Sequence, residues 1–251
     1  LGEVALVSDI HANIEAFDRV LADIRSRGIE RVLCLGDIVG YGPNPRECID
    51  RCHDFAVSLM GNHEEAVLYY AEDFNEKARQ AIEWTKEQLN SSEFERDANY
   101  RIWNFLDGMA RSTIWNGVLL VHASPRNPTK EYILPQDVRN SEKLQAIFGA
   151  QKQSLCFCGH SHVPGVYTED LRFLPDKEVE DGYRPDHRKT IVNVGSVGQP
   201  RDGDPRACYV VYDGTTVRFV RLEYDYRKTM AKIRSVAELP DFLAERLARG
   251  R

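Results

Sequence analysis

At 251 residues, with 42% hydrophobic and 29% charged residues, the chain is long enough to bury a large core and reads as one domain over 1–251. No apolar run approaches the roughly 20 residues of a membrane helix, and no basic segment with an apolar core precedes the first strand-like run at Val4, so neither a membrane span nor an export signal is expected. A net charge of −6 argues against a broad basic footprint for nucleic acid.

The first 60 residues alternate strand, helix, strand, helix, strand. Val4 to Ser8 is a β-rich run. Ile14, Phe17, Val20, Leu21 and Ile24 then make one helical stripe that stops before Gly28. A second run spans Arg31 to Leu35; a Gly- and Pro-rich turn and a short helical stretch lead to a third, Ala56 to Met60. This alternation predicts a parallel sheet with helices on its faces.

From about 64 to 115 the chain is charged and helix-favouring, with Ala78, Ile82, Leu89 and Phe94 at helical spacing and no convincing strand, so a helical insertion is expected. Strand runs resume at Val118 to Val121, Leu155 to Cys158, Thr190 to Val194, Cys208 to Tyr212 and Val217 to Leu222, the last two joined by Asp213-Gly214 as a hairpin. Asp176 to Lys189 lacks periodicity and reads as an exposed loop, and 226–251 as a helical tail. Cys34, Cys156, Cys158 and Cys208 lie inside apolar runs and behave as packed thiols, which fits a cytoplasmic protein. Cys48 and Cys52, one helical turn apart beside His53, have the spacing of half a zinc site but read as packing.

Five apolar runs end in a metal-ligating or catalytic side chain: Asp9 and His11, Asp37, Asn62 and His63, His122, and His160 and His162. If the early strands are parallel, these ends share one edge of the sheet, where open α/β proteins place their sites. Two carboxylates, imidazoles and an amide suit Mn, Fe, Zn or Co, and are too many donors for one tetrahedral ion. Two divalent transition-metal ions bridged by a carboxylate would use the set fully. Glycines before Asp37, Asn62 and His160 are expected to turn the backbone sharply away from each strand. A single histidine is more often structural, but five of the seven falling at strand ends point to a site. Asn13 reads as a helix N-cap, His53 and His187 match no motif, and Trp84, Trp103 and Trp115 read as core.

The ordered set "DIH", "GDIVGYG", "GNHE", a lone His after a strand and "GHSH" resembles the calcineurin-like metallophosphoesterase superfamily, over Val4 to about Leu222. "VNVGSVGQPRDGDPRACYVVYDG" and "GDIVGYGPNP" further resemble a bacterial subgroup of small phosphodiesterases and phosphatases, some of them dinucleoside-tetraphosphate hydrolases. The resemblance implies an α/β sandwich with mixed sheets flanked by helices. It implies a first metal on Asp9, His11, Asp37 and His162, and a second on Asp37, Asn62, His122 and His160, with Asp37 bridging and Mn favoured for activity. It makes His63 the residue that contacts the phosphate and protonates the leaving oxygen, while a hydroxide generated at the ions attacks phosphorus in line.

Many members continue "GD" with two residues and then Asp-Arg, where this chain has Gly40-Tyr41. Glu64, Asp202 or Asp204 are candidates to orient His63 instead, and Arg126, Arg201 or Arg206, with Tyr41, to meet the phosphate. The expected activity is hydrolysis of a small phosphodiester or nucleotide pyrophosphate, with a homo-oligomer left open. A nuclease would require a basic groove that is not visible, and a non-catalytic scaffold would have no need of a complete donor set.

Overall fold

The computed structural model describes residues 2–71 and 74–251. Residues 72 and 73, inside the expected insertion, lie outside the described residues. Two sheets stack face to face. The first has the order β11-β10-β1-β2-β3, built from β1 (Val4–Val7), β2 (Arg31–Cys34), β3 (Val57–Ser58), β10 (Ala207–Tyr212) and β11 (Val217–Leu222). The second has the order β4-β5-β6-β9-β7-β8, from β4 (Ser112–Trp115), β5 (Val118–Val121), β6 (Leu155–Cys158), β7 (Gly165–Thr168), β8 (Arg172–Pro175) and β9 (Thr190–Asn193). Both are mixed: β1, β2 and β3 run parallel, as do β5, β6 and β9, while β10 returns antiparallel to β1.

Alternation along the strands explains the layering. Leu6, Leu33, Leu120, Leu155 and Phe157 point between the sheets. Ala5, Val7 and Cys34 point outward to the stripe of α1 (Ile14–Ser26) and to α2 (Pro45–Cys52). Cys156 and Cys158 face α6 (Ser141–Ala150) on the other side. A strand apolar on both faces must be covered on both, and the result is four layers, helix, sheet, sheet, helix. Asn13 caps α1, accepting from the Ala16 amide at 3.2 Å, and Gly28 follows its last turn at φ +71°.

The expected insertion is three helices, α3 (Asn62–Leu68), α4 (Glu76–Leu89) and α5 (Arg96–Asp107), followed by β4. That strand corrects the reading of a strandless insertion, since Ser112–Trp115 pairs antiparallel with β5 through a two-residue turn at Asn116-Gly117, both at positive φ. Phe94 does not continue the α4 stripe; it lies beyond the helix end, half exposed under the Arg46 guanidinium. The segment 176–189 is a largely exposed loop, as expected, anchored where buried Asp176 pairs with Arg221 and Tyr183 bridges to Val217. The tail forms α7 (Tyr226–Ser235) and α8 (Asp241–Arg249). Helices this short are marginal alone, and Ile233, Leu243 and Leu247 hold them against Ala81 and Trp84 of α4, each buried side chain contributing about 1.5–3 kcal/mol. All six cysteines are free and buried.

Candidate metal centre

The donor-bearing strand ends lie not on one sheet, as expected, but on the facing ends of two. Asp9, His11, Asp37 and Asn62 follow β1, β2 and β3, while His122, His160 and His162 follow β5 and β6. Their ligand atoms form two groups. Asp9, His11, Asp37 and His162 converge within 4.8 Å of one another, as do Asp37, His122 and His160, and Asp37 belongs to both. Asn62 joins the second group, its Oδ1 lying 3.1 Å from His122 Nε2.

The backbone aims these groups. Asp9, His11, Asp37, His160 and His162 all sit at φ between 48° and 65°, in the left-handed region. That region costs an L-residue roughly 1–2 kcal/mol, which the surrounding hydrogen bonds must offset. The His160 amide donates to the Asp9 carboxylate at 2.9 Å, and the His63 amide to Asp37 Oδ1 at 2.9 Å. Gly36 turns sharply at φ +105°, but Gly61 and Gly159 serve another end. A Cβ at Gly61 would stand 2.1 Å from Asp37 Oδ1, and one at Gly159 would stand 2.4 Å from Asp9 Oδ2. Their glycines admit the carboxylates.

The arrangement fits cations on its own chemistry. His11 Nδ1 lies 3.1 Å from the Val39 carbonyl, His162 Nδ1 2.5 Å from the Gln199 carbonyl, and His122 Nδ1 3.0 Å from the Leu35 carbonyl. His160 Nε2 lies 3.1 Å from the Lys130 carbonyl. Each of these nitrogens must carry its ring's proton to bond a carbonyl, so the opposite nitrogen presents a lone pair. Those lone pairs face each other, His11 Nε2 to His162 Nε2 at 3.1 Å and His122 Nε2 to His160 Nδ1 at 3.2 Å. Two acceptors that close repel unless a proton or a cation joins them. Ligands about 2.1 Å from a common ion and at right angles around it stand about 3 Å apart.

Protonation preferences agree. Burial pushes His11 and His162 below the ordinary imidazole range and His160 to about 3. Burial alone would raise the Asp37 carboxyl, yet His122 and His63 beside it hold it well below the usual range. His122 differs: burial lowers it, but the Asp37 carboxylate outweighs burial and carries it up to about 9. Positive charge is therefore favoured at that point, and a divalent ion supplies it without a proton.

His63 is buried, and its Nδ1 has no hydrogen-bond partner. The reason is Gly40, at φ +86°, where a Cβ would stand 2.0 Å from that nitrogen. The ring occupies the space a side chain at 40 would take. Rings position it instead: Tyr41 at 4.4 Å, His11 at 4.7 Å and Phe74 at 4.9 Å between centroids, all near edge-to-face. None of the three carboxylates expected to orient it does so. Glu64 accepts from the amides of Asp37, Ile38, Val39 and Gly61 at 2.7–3.1 Å, bracing the β2 and β3 ends. Asp202 pairs with Arg221, and Asp204 with Arg206 at 2.6 Å.

Of the arginines, Arg201 reaches the site, its guanidinium 5.8 Å from the Tyr41 ring centroid, while Arg126 pairs with Glu131 and Arg206 with Asp204. Two contributors, Tyr132 and Phe74, carried no sequence signal. Tyr132 stacks on His160 at 3.8 Å, Phe74 packs on His63, and both line a cleft of about 270 Å³ with Tyr41 and Lys130 beside Asn62 and His160. Ser196 Oγ donates to the Asp9 carbonyl at 2.8 Å, so the turn at 195–199 braces the first donor loop. Cys48 and Cys52 lie in the outer core of the first sheet and contribute to neither donor group. His53 and His187 stay outside the site.

A buried, histidine-rich cation site at the paired ends of a two-sheet α/β sandwich defines a metal-dependent hydrolase. The calcineurin-like phosphoesterase superfamily domain matches residues 3–216, so the chain belongs to that family and is a metal-dependent phosphoesterase acting on phosphoester bonds. It is 38% identical to an uncharacterized protein of Methanocaldococcus jannaschii, over 99% of this chain and 98% of that one. A metallophosphoesterase from Sphaerobacter thermophilus has a similar structure, with TM-score 0.83 and 34% identity over 100% of this chain and 99% of the other. A hypothetical protein from Pyrococcus horikoshii OT3, at 19% identity and TM-score 0.76 over 100% and 99% of the two chains, shares the fold. Among the described residues no helix is long and apolar enough to cross a membrane.

Proposed function

We propose that this is a binuclear phosphoesterase that cleaves a phosphodiester or nucleotide pyrophosphate bond in the cytoplasm, with Mn as the activating metal. The observation that supports it best is the pair of donor groups sharing Asp37, each holding imidazole lone pairs that face one another. Asp9, His11, Asp37 and His162 would hold one divalent ion and Asp37, Asn62, His122 and His160 the other. Bound there, the ions supply Lewis acidity toward the phosphate oxygens and lower the pKa of water.

The chain's own residues do the rest. His63 follows Asn62 directly and packs behind Tyr41 and Phe74 of the cleft wall, from where it would bond a phosphate oxygen and deliver a proton to the leaving oxygen. Burial draws its imidazole down to about 4, against the pull of Asp37. An anionic phosphate beside it would favour the protonated ring that the acid role requires. Tyr41 and Arg201 meet the substrate, whereas Arg126 and Arg206 are engaged by their carboxylates. Tyr132 and Phe74 give the leaving group an aromatic wall.

The test is metal analysis of chelator-free protein with a panel of monoesters, diesters and dinucleoside polyphosphates assayed with Mn. About two ions per chain and turnover of diesters or pyrophosphates are expected. At most one ion under metal-replete conditions would remove the binuclear assignment, and turnover confined to monoesters would remove the substrate assignment.

A further inference from the structure

The family match ends at residue 216, yet the site does not. Tyr41, which packs on His63 and His11, is clamped from behind by Leu243 and Leu247 of α8, Ile233 of α7 and Trp84 of α4. The end of α8 is tied to the loop that carries Arg201. Gly203 donates its amide to the Gly250 carbonyl at 2.8 Å, and Gly250, at φ +60°, leaves no room for a Cβ, which would stand 2.7 Å from the Asp204 backbone. Packing and main chain together place the helix pair over the rim of the metal centre.

Two arginines, Arg201 and Arg246, stand at that rim. Arg201 lies over the Tyr41 ring, donates to the Tyr132 hydroxyl at the cleft and donates Nη2 to Gln199 Oε1 at 2.8 Å. Its Nε is buried and without a partner. Arg246 of α8 lies over the Phe242 ring at 5.2 Å, donates Nε to the Arg251 main-chain oxygen at 2.5 Å and stands within electrostatic reach of Arg201, Tyr41 and Tyr132. Among the described residues, no carboxylate side chain pairs with either arginine. Elsewhere comparable arginines are matched: Arg221 with Asp176 and Asp202, Arg126 with Glu131, Arg206 with Asp204. Burial, and after it the neighbouring Arg201 charge, bring the Arg246 guanidinium down to about 10. Two neighbouring cations without a carboxylate side chain between them, one of them with a buried idle donor, suit an anion.

We propose that the C-terminal helix pair is part of the active site and that Arg246, with Arg201, forms a subsite for a second phosphate group of the substrate, distinct from the one cleaved. The inference rests on the phosphoesterase reading above and extends it to specificity, selecting substrates with more than one phosphate. Arg246 is then a specificity-determining residue.

The experiment compares wild type, Arg246→Gln and Arg246→Lys as Mn-loaded full chains on a dinucleoside polyphosphate and on a nitrophenyl phosphodiester. In Arg246→Gln the ratio of kcat/KM in favour of the polyphosphate should fall about tenfold, chiefly through KM, the loss expected for one charge-assisted contact. Arg246→Lys should retain most of the ratio. Equal losses on both substrates, or identical behaviour of the Gln and Lys variants, would reduce Arg246 to a structural role and overturn the proposal. Calorimetric binding of inorganic tripolyphosphate provides a readout independent of turnover, and Arg246→Gln should bind it about tenfold more weakly than wild type. If wild type cleaves no ester, the phosphoesterase reading fails separately, and the tripolyphosphate titration still decides the subsite. Wild-type affinity in the Gln variant would sink it.

Discussion

The donor cradle and the rim around it are built on different principles. In the cradle, left-handed backbone at five ligand residues, main-chain carbonyls behind four imidazoles and one carboxylate on four amides fix every donor. The rim consists of side chains from segments distant in sequence, Tyr41, Phe74, Tyr132, Arg201 and Arg246, held by rings and packing. Reactive geometry is thus written into the backbone, while recognition depends on side chains whose meeting point only the tertiary fold sets. Damage to the cradle should remove chemistry, and damage to the rim should redirect it.

The largest effect should come from Asp37→Asn, which weakens the attraction for both cations at once. Turnover should fall by about 10⁴-fold, the scale of several kcal/mol of lost metal catalysis, and elemental analysis should show both ions depleted. Retention of one full ion would show that Asp37 does not bridge. Next, His63→Ala should keep both ions and lose on the order of 10²–10⁴-fold on alkyl esters but far less on nitrophenyl esters, whose leaving group departs almost unaided. Equal losses on the two ester types would end the acid assignment.

Gly40→Ala tests whether ring packing orients His63. Its Cβ must displace the imidazole, so ester hydrolysis should drop about 10–100-fold with metal content intact, as expected when a reacting group is misplaced by about 1 Å. Wild-type rates would show that the ring tolerates displacement. Glu64→Gln replaces an acceptor of four amides with a group that can turn only one oxygen to them. A loss of roughly 3 kcal/mol in chemical denaturation is expected, and an unchanged midpoint would show that the brace is dispensable. Smallest of all, Arg126→Ala and Arg206→Ala should alter kcat/KM less than about threefold, because exposed ion pairs contribute at most about 1 kcal/mol. The Arg206 partner gives a pH check. Arg206 holds the Asp204 carboxyl at about 2, so the pair's contribution is complete above the ordinary carboxylate range and disappears as pH falls through about 2. In Arg206→Ala that acid-side difference should vanish.

The same division explains what the sequence discloses. Each donor ends a short apolar run, so Asp9, His11, Asp37, Asn62, His122, His160 and His162 stand out by local rules alone. The parallel start and the β10-β11 hairpin were equally legible. Sheet membership was not, since nothing local tells β9 to stay in one sheet and β10 to cross to the other. β7 and β8 are four residues each, one opening on Gly165 and the other closing on Pro175, too short for a period to show. Tyr132 and Arg246 belong to no motif, and their part in the site comes from tertiary proximity. Glu64 was visible in "GNHE" but misread, because its carboxylate turns back to the main chain of Asp37 instead of sideways to His63.

The return of β10 to the side of β1 also sets a timetable for synthesis. As the chain leaves the ribosome, β1 gains β2 on one flank within a few dozen residues, but its other flank stays open until Ala207–Tyr212 appears. At roughly 5–20 residues per second, that exposure lasts on the order of 10–40 s. An unpaired strand edge is a template for pairing with the wrong neighbour. The N-terminal half of this enzyme is therefore the part of the nascent chain with most need of a chaperone.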